Sequence, residues 1–185
     1  MKKKISRKRK FEPELKVDDI LLKNRKLFLY GEISSLTIQP IVKSLIALNI
    51  LNTEPIYLFI NSPGGSVSDG FALVDTIKSL KTPVYTVIIG EACSMGGLIS
   101  IVGDERLMTK NSFFMAHDMR GGIHGDYSGK VEYRADFIKK CWKMIEDHLK
   151  TYTKLTTQDL VILRNGELWL TPQECLNKSV IDRII

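Results

Sequence analysis

The segment PIYLFINSPGG, residues 55–65, contains the pattern that decides the fold. Its first half, Pro55–Ile60, is a compact apolar run of the kind that forms a buried strand. The run stops at residues 61–65, where a proline and two consecutive glycines predict a loop. Apolar residues then recur at helical spacing over Asp69–Leu80. The segment therefore predicts a strand, a loop and a helix, in that order.

The same order occurs on both sides of this segment. Downstream, the apolar run Pro83–Gly90 leads through residues 91–94 into a helix of apolar and small residues. Upstream, a short strand over Lys26–Tyr30 precedes a helical pattern that starts at Ile38. Repeated strand–loop–helix units indicate an α/β fold, with a mostly parallel sheet and helices packed on its faces.

The rest of the chain adds shorter elements. A Gly-rich loop at Gly121–Gly129 precedes a long amphipathic helix over Lys130–Thr153. Thr171 as N-cap, followed by Pro172 and Glu174, predicts the start of another helix. Further strands are predicted at Arg106–Thr109, Phe113–His117, Leu168–Leu170 and Val180–Ile184.

Length and charge indicate one domain with a basic tail. A chain of 185 residues that is 44% hydrophobic can bury one core. Much of the net charge of +6 comes from residues 1–10. A block of like charges usually stays solvated, so we expect residues 1–20 to be a flexible tail and 21–185 a single domain. Nucleic-acid binding by the tail is the less favoured alternative.

The sequence predicts a cytoplasmic protein without a metal site. Charged residues in Phe11–Asp19 occupy the place where a secretion signal would be apolar. No apolar run approaches the roughly 20 residues needed to span a bilayer. Cys93, Cys141 and Cys175 are scattered without ligand spacing, which argues against disulfides and zinc. For a viral source, the location would be the host cytoplasm.

Ser94 is the candidate nucleophile. It lies between a predicted strand and the start of a helix, the position where open α/β sheets place ligands. The pattern is not G-x-S-x-G, because Ala92 stands two residues before the serine, and this disfavours an α/β-hydrolase. The alternative is that Ser94 only caps the following helix.

His117 is the candidate general base, because it ends a predicted strand and would project near Ser94. His124 lies in the Gly-rich loop and His148 is assigned to the polar face of the long helix, so neither competes. A third group should orient the imidazole. Four acids are open for that role: Asp118, Asp159, Glu167 and Asp182.

Five stretches, taken together and in this order, carry a family resemblance. They are residues 27–33, 56–65, 90–96, 115–122 (Met115-Ala116-His117 with Gly121-Gly122) and 169–182. From about Leu27 to Ile184 the chain resembles the Clp protease proteolytic subunit family, ClpP. The pairing of INSPGG with a downstream CSMG segment is highly specific for it.

The resemblance implies a ClpP/crotonase-type fold with a protruding handle helix at about residues 122–155. It places Ser94 and His117 in the nucleophile and base positions. Glu167 aligns with the aspartate that usually completes the triad; the alternatives are Asn165, another acid or no third member. Backbone N–H groups of Gly65 or Ser66, together with Met95, would form the oxyanion hole. The substrate channel would include Gly121, Gly122 and Ile123.

The implied function is that of a serine endopeptidase that hydrolyses unfolded proteins inside two stacked heptameric rings. No cofactor is expected on this chain, since ATP would be used by a Clp-type ATPase partner. The N-terminal segment does not resemble the family's axial loop, so a stand-alone, phage-type processing peptidase is an alternative. Two other classes stay open: a crotonase-like acyl-CoA enzyme and a non-catalytic ring subunit.

Overall fold

The computed structural model describes residues 16–119 and 128–185. Within these ranges the strands are β1 (Lys26–Tyr30), β2 (Ile56–Ser62), β3 (Val84–Cys93), β4 (Glu105–Met108), β5 (Phe113–His117), β6 (Glu167–Leu170) and β7 (Arg183–Ile184). The helices are α1 (Val17–Lys23), α2 (Ser35–Leu51), α3 (Val67–Ser79), α4 (Met95–Ser100), α5 (Ser128–Tyr152), α6 (Thr157–Asn165) and α7 (Pro172–Asn177).

The strands form one mixed sheet. Its main path runs β1-β2-β3-β4-β7, and every pairing along that path is parallel. Strand β5 leaves this path, pairing in parallel with the end of β3 and antiparallel with β6. The predicted α/β fold with a mostly parallel sheet is therefore confirmed.

The core lies between this sheet and the helices that cover it. In β2 the side chains of Ile56, Leu58 and Ile60 are fully buried, in alternation with partly exposed residues. Burial of each such side chain contributes roughly 1.5–3 kcal/mol. Helix α4 has no exposed residue, so it is held inside the fold on all sides. The loop before α4 contains Ser94.

Three features differ from the prediction. Helix α1 overlaps the last residues of the predicted 1–20 tail, and helix α6 was not predicted. His148 does not lie on a polar face of α5: it is half-buried, and its ring packs edge-on against Phe71. The prediction for His148 was wrong because the side of α5 that packs against the core includes this polar residue.

No helix within residues 16–119 or 128–185 combines the length and apolar character needed to cross a bilayer.

Candidate active site

Ser94 is held in an unusual backbone conformation between β3 and α4. Its φ is 52° and its ψ is −122°, a region that costs a non-glycine residue on the order of 1–3 kcal/mol. Two hydrogen bonds fix it there: its N–H donates to the Met115 carbonyl at 2.8 Å, and its carbonyl accepts from the Leu98 N–H at 3.2 Å. The side chain is thus presented at a sharp strand-to-helix turn, as a nucleophile requires.

Gly64 allows the preceding loop to contact Ser94. Its φ is +99°, and a Cβ atom at this position would lie 2.6 Å from the Ser94 Cβ and 2.8 Å from the Cys93 carbonyl oxygen. Both distances are shorter than real Cβ contacts, so only glycine fits without displacement. The sequence predicted a loop from the two consecutive glycines but assigned no separate role to Gly64.

The backbone N–H groups near Ser94 differ in whether they already have an acceptor. The Ser66 N–H donates to the Ile33 carbonyl at 2.8 Å, and its hydroxyl caps α3 by accepting from Asp69. The N–H groups of Gly65 and Met95, in contrast, have no acceptor within the described part of the chain. Of the two predicted alternatives, Gly65 rather than Ser66 is therefore available as an oxyanion donor alongside Met95.

Ser94, His117, Gly65 and Met95 line one cavity with a volume of about 290 Å³. Most of the remaining wall is apolar and comes from α3, α4, α5, β5 and two loops. Those side chains are Pro63, Val67, Leu98, Ala116, Met119, Ile145 and Leu149, with Asp118 as the charged exception. The structure thus brings the candidate nucleophile, the candidate base and the two N–H donors together around a space with room for an apolar side chain.

The surroundings of His117 fix the role of each ring nitrogen. Its Nδ1 contacts the carbonyl oxygen of Asp118, which is able only to accept a hydrogen bond. This hydrogen bond requires a proton on Nδ1, and in the neutral form of the ring the lone pair is then on Nε2. This is the tautomer that takes a proton from a nucleophile.

Of the four acids considered for the third position, Glu167 is the one paired with His117 in the β5–β6 register. Its Oε2 accepts a hydrogen bond from the Trp169 indole at 2.9 Å. Asp159 is engaged elsewhere, by Lys178 at 2.8 Å and in the capping box of α6. Asp182 is bound by Arg106, whose hydrogen bonds lower the pKa of that carboxyl.

Cys93 is not an alternative nucleophile. Burial, together with the charge and hydrogen bond of Glu91, raises the pKa of its thiol to about 12. A thiol with such a pKa stays protonated near neutral pH and is a poor nucleophile. This agrees with its interpretation as a small buried filler.

Comparison with known proteins identifies the family. A profile of the Clp protease family matches residues 10–185. This chain belongs to the Clp protease family. The predicted resemblance is therefore confirmed, and with it the class of serine-type peptidase.

Curated relatives agree over most of the chain. The ATP-dependent Clp protease proteolytic subunit of Streptococcus mutans serotype c is 34% identical over 169 residues, which cover 89% of this chain and 86% of the relative. The subunits so named from Streptococcus gordonii and Streptococcus thermophilus are 32% and 33% identical over the same length and with the same coverage.

The predicted channel residues Gly121, Gly122 and Ile123 lie outside the described residues, as does His124. The chemical roles of Ser94, His117 and Glu167 stay predictions.

Proposed function

We propose that this Clp protease family member hydrolyses peptide bonds of unfolded proteins with Ser94 as nucleophile and His117 as base. One observation carries the proposal: Ser94, with its strained backbone, and His117 line the same cavity. The N–H groups of Gly65 and Met95 line it too, and they have no acceptor among the described residues. A serine that only caps α4 would not explain this arrangement, and Ser94 makes no side-chain cap hydrogen bond to the described part of that helix.

The reaction follows from these positions. His117 Nε2 takes the proton of the Ser94 hydroxyl as its oxygen attacks the scissile carbonyl carbon. The resulting oxyanion accepts hydrogen bonds from the N–H groups of Gly65 and Met95. His117 then gives the proton to the leaving amine, and the C–N bond breaks to leave an acyl-enzyme. Water, deprotonated by His117, releases the second product and restores Ser94.

Substrate choice follows from the walls of the cavity. Leu98, Met119, Ile145 and Leu149 would surround the side chain of the residue whose carbonyl is attacked. A buried apolar side chain gains roughly 0.8 kcal/mol per methylene, so apolar residues should be preferred before the cleaved bond. Ile145 and Leu149 belong to α5, so this helix would contribute to specificity.

We further propose that the subunits assemble into stacked rings. The support is the family membership and the composition of α5, which exposes large apolar side chains at Tyr133, Phe137 and Met144. Exposed apolar surface on this scale is typical of an interface between subunits. A ring chamber would admit only unfolded chains.

An ATPase partner in the cytoplasm is part of the proposal, since the curated relatives are named ATP-dependent. A stand-alone processing peptidase is the alternative, because the N-terminal sequence does not resemble the family's axial loop. Degradation assays with and without a Clp-type ATPase separate the two.

The test uses an unfolded protein and its folded counterpart. Reduced, alkylated casein should be degraded by the native chain and not by Ser94→Ala, while a stable folded domain should resist without an ATPase. Native mass spectrometry should show a ring assembly. A monomer at micromolar concentration, or casein degradation that survives Ser94→Ala, would contradict the proposal.

A further inference from the structure

Ser62 is a fully buried polar residue at the end of β2. It pairs with Ala92 of β3, close to Ser94 in the chain. The register of the β2–β3 pairing shifts between Ile60 and Ser62, so the strand departs from regular geometry there. Irregularities of this kind re-aim a side chain and are common next to active sites. Here the Ser62 side chain lies between the loop after β1 and the loop after β2.

The Ser62 hydroxyl makes one hydrogen bond as donor and one as acceptor. It donates to the Gly31 carbonyl, in the loop after β1, at 2.6 Å. It accepts from the Gly64 N–H, in the loop after β2, at 3.1 Å. A hydroxyl carries a single proton but can accept as well, so one side chain serves both partners. Ser62 thus connects the two loops inside the fold.

The second of these loops carries Gly65, whose N–H is the proposed oxyanion donor. Gly64 and Gly65 both have positive φ, 99° and 146°. Glycine adopts many backbone conformations, so the local sequence alone does not hold the loop in this one. Hydrogen bonds from other segments do so. Ile33 makes two, donating to the Gly64 carbonyl and accepting from the Ser66 N–H, each at 2.8 Å. Ser62 adds the third, at the Gly64 N–H.

The segment that carries the other proposed donor also packs against Ser62. Gly96 follows Met95 in α4. A Cβ atom on Gly96 would lie 3.1 Å from the Ser62 carbonyl oxygen and 3.2 Å from the Ser62 Cβ. These distances are tighter than nearly all real Cβ contacts, so α4 and the end of β2 are closely packed. Ser62 is therefore next to both segments that form the oxyanion hole.

We propose that Ser62 is a positioning residue of the oxyanion hole. Its hydroxyl, through Gly64, keeps the Gly65 N–H directed into the catalytic cavity beside the Met95 N–H. This deepens the proposed function and rests on it. Without the hydroxyl, the Gly64 N–H and the Gly31 carbonyl each lose a buried partner. The glycine loop then gains freedom at the point where an oxyanion donor has to be fixed in advance.

Ser62→Ala tests this role, because it removes the hydroxyl and adds no bulk. Its kcat for a short apolar peptide should fall about tenfold, while KM changes by no more than about twofold, since the oxyanion forms only in the transition state. The expected loss is smaller than the roughly 10²- to 10³-fold loss that follows removal of an oxyanion donor itself.

A peptide boronate gives a second measurement. Its adduct with Ser94 is tetrahedral, and one of its oxygens takes the place of the oxyanion. The inhibition constant of the boronate should therefore rise in Ser62→Ala by about the same factor as kcat falls. A loss of folded protein alone would lower the apparent kcat and leave the inhibition constant unchanged.

Ser112→Ala is the matched control. Ser112 is also fully buried, and its hydroxyl accepts from the Gly90 N–H at 3.3 Å and donates to the Ile88 carbonyl at 3.2 Å. It is absent from the described lining of the catalytic cavity. Both variants should lose stability in urea unfolding, because each leaves buried groups without a partner. The kcat and the boronate inhibition constant of Ser112→Ala should match those of the native chain.

The outcomes separate the two claims. An unchanged kcat or inhibition constant in Ser62→Ala, or equal losses in Ser112→Ala, overturns the positioning role while leaving the peptidase intact. A native chain that neither cleaves the peptide nor binds the boronate overturns the proposed function, and the positioning role with it. Should Ser62→Ala not fold, Ser62→Cys decides: its thiol is a weaker donor and acceptor, so kcat and boronate affinity should both fall about threefold.

Discussion

His117 and Glu167 lie directly opposite each other where β5 pairs with β6 in antiparallel orientation. Side chains at directly opposed positions of such a pair share one face of the sheet. Trp169 lies two residues after Glu167, on that same face, and its indole holds one carboxylate oxygen. The glutamate, one methylene longer than an aspartate, is therefore restrained on the side of the sheet where the imidazole lies.

Glu167→Gln should lower kcat by orders of magnitude with little change in KM, because a carboxylate on the same face of the sheet as the imidazole no longer stabilises the imidazolium that forms during attack. The kcat of Glu167→Asp should lie between those of the native chain and Glu167→Gln, because aspartate keeps the negative charge but has a side chain one methylene shorter. Steady-state cleavage of a short apolar peptide measures both. Near-normal activity of Glu167→Gln would move the role to another group.

Gly64→Ala should destabilise the chain and abolish labelling of Ser94. The new Cβ would overlap the Ser94 Cβ, in addition to the strain of a positive φ. Gly31→Ala is a matched control, because Gly31 has a φ of +83° and an added Cβ there would meet no described atom within 4 Å. The control should cost only about 1–2 kcal/mol of unfolding free energy and retain labelling. Equal effects of the two variants would show that contact with Ser94 is unimportant.

His148 connects α5 to the helix that follows the nucleophile. Its Nε2 forms a 2.9 Å hydrogen bond with the Leu98 carbonyl, and the Leu98 N–H donates to the Ser94 carbonyl. Burial lowers the pKa of His148, although the bond to Leu98 and the charge of Asp75 act in the opposite direction. The imidazole is thus held neutral in the folded chain at neutral pH.

The lowered pKa makes stability depend on pH in a defined direction. The unfolded chain, with an ordinary histidine pKa of 6.5, binds a proton before the folded chain does. Stability is therefore retained above pH 6.5 and lost as the pH falls from 6.5 through the lower folded pKa. The other charges near His148 are Asp75 and Lys78 on α3 and Asp147 on α5, whereas α4 contributes none.

When the pH is lowered from about 7.5 to about 5.5, the unfolding free energy of His148→Gln should fall less than that of the native chain, because glutamine does not titrate. Glutamine also keeps a donor for the Leu98 carbonyl, so activity at the higher pH should be largely retained, whereas His148→Leu should lower kcat. Urea unfolding at the two pH values measures the first effect. An identical pH dependence in the native chain and His148→Gln would contradict it.

The sequence predicted the sheet well because each parallel strand is a short buried apolar run with a loop after it, as in Ile56–Ser62 and Val84–Cys93. Ser94 and His117 were predicted from their places at the ends of such runs. Helix α6 was missed because its capping pair, Thr156 and Asp159, precedes a segment with a weak apolar stripe.

Other site features depend on contacts between distant segments. The Ser66 N–H is occupied by Ile33, which lies more than thirty residues earlier in the chain. Ser94, with its positive φ, donates its N–H to the carbonyl of Met115, which lies about twenty residues later in the chain. Likewise, the sequence does not indicate that the Trp142 indole N–H is buried without a partner among the described residues, because this depends on how α5 packs.

The most direct test of the central claim is covalent labelling of Ser94. A serine-directed phosphonate or β-lactone should add to the peptide that contains Ser94, as located by mass spectrometry after digestion. Ser94→Ala should not be labelled, and His117→Ala should be labelled far more slowly, because the base that activates the hydroxyl is gone. Labelling that survives Ser94→Ala, or no labelling of the native chain, would contradict Ser94 as the nucleophile.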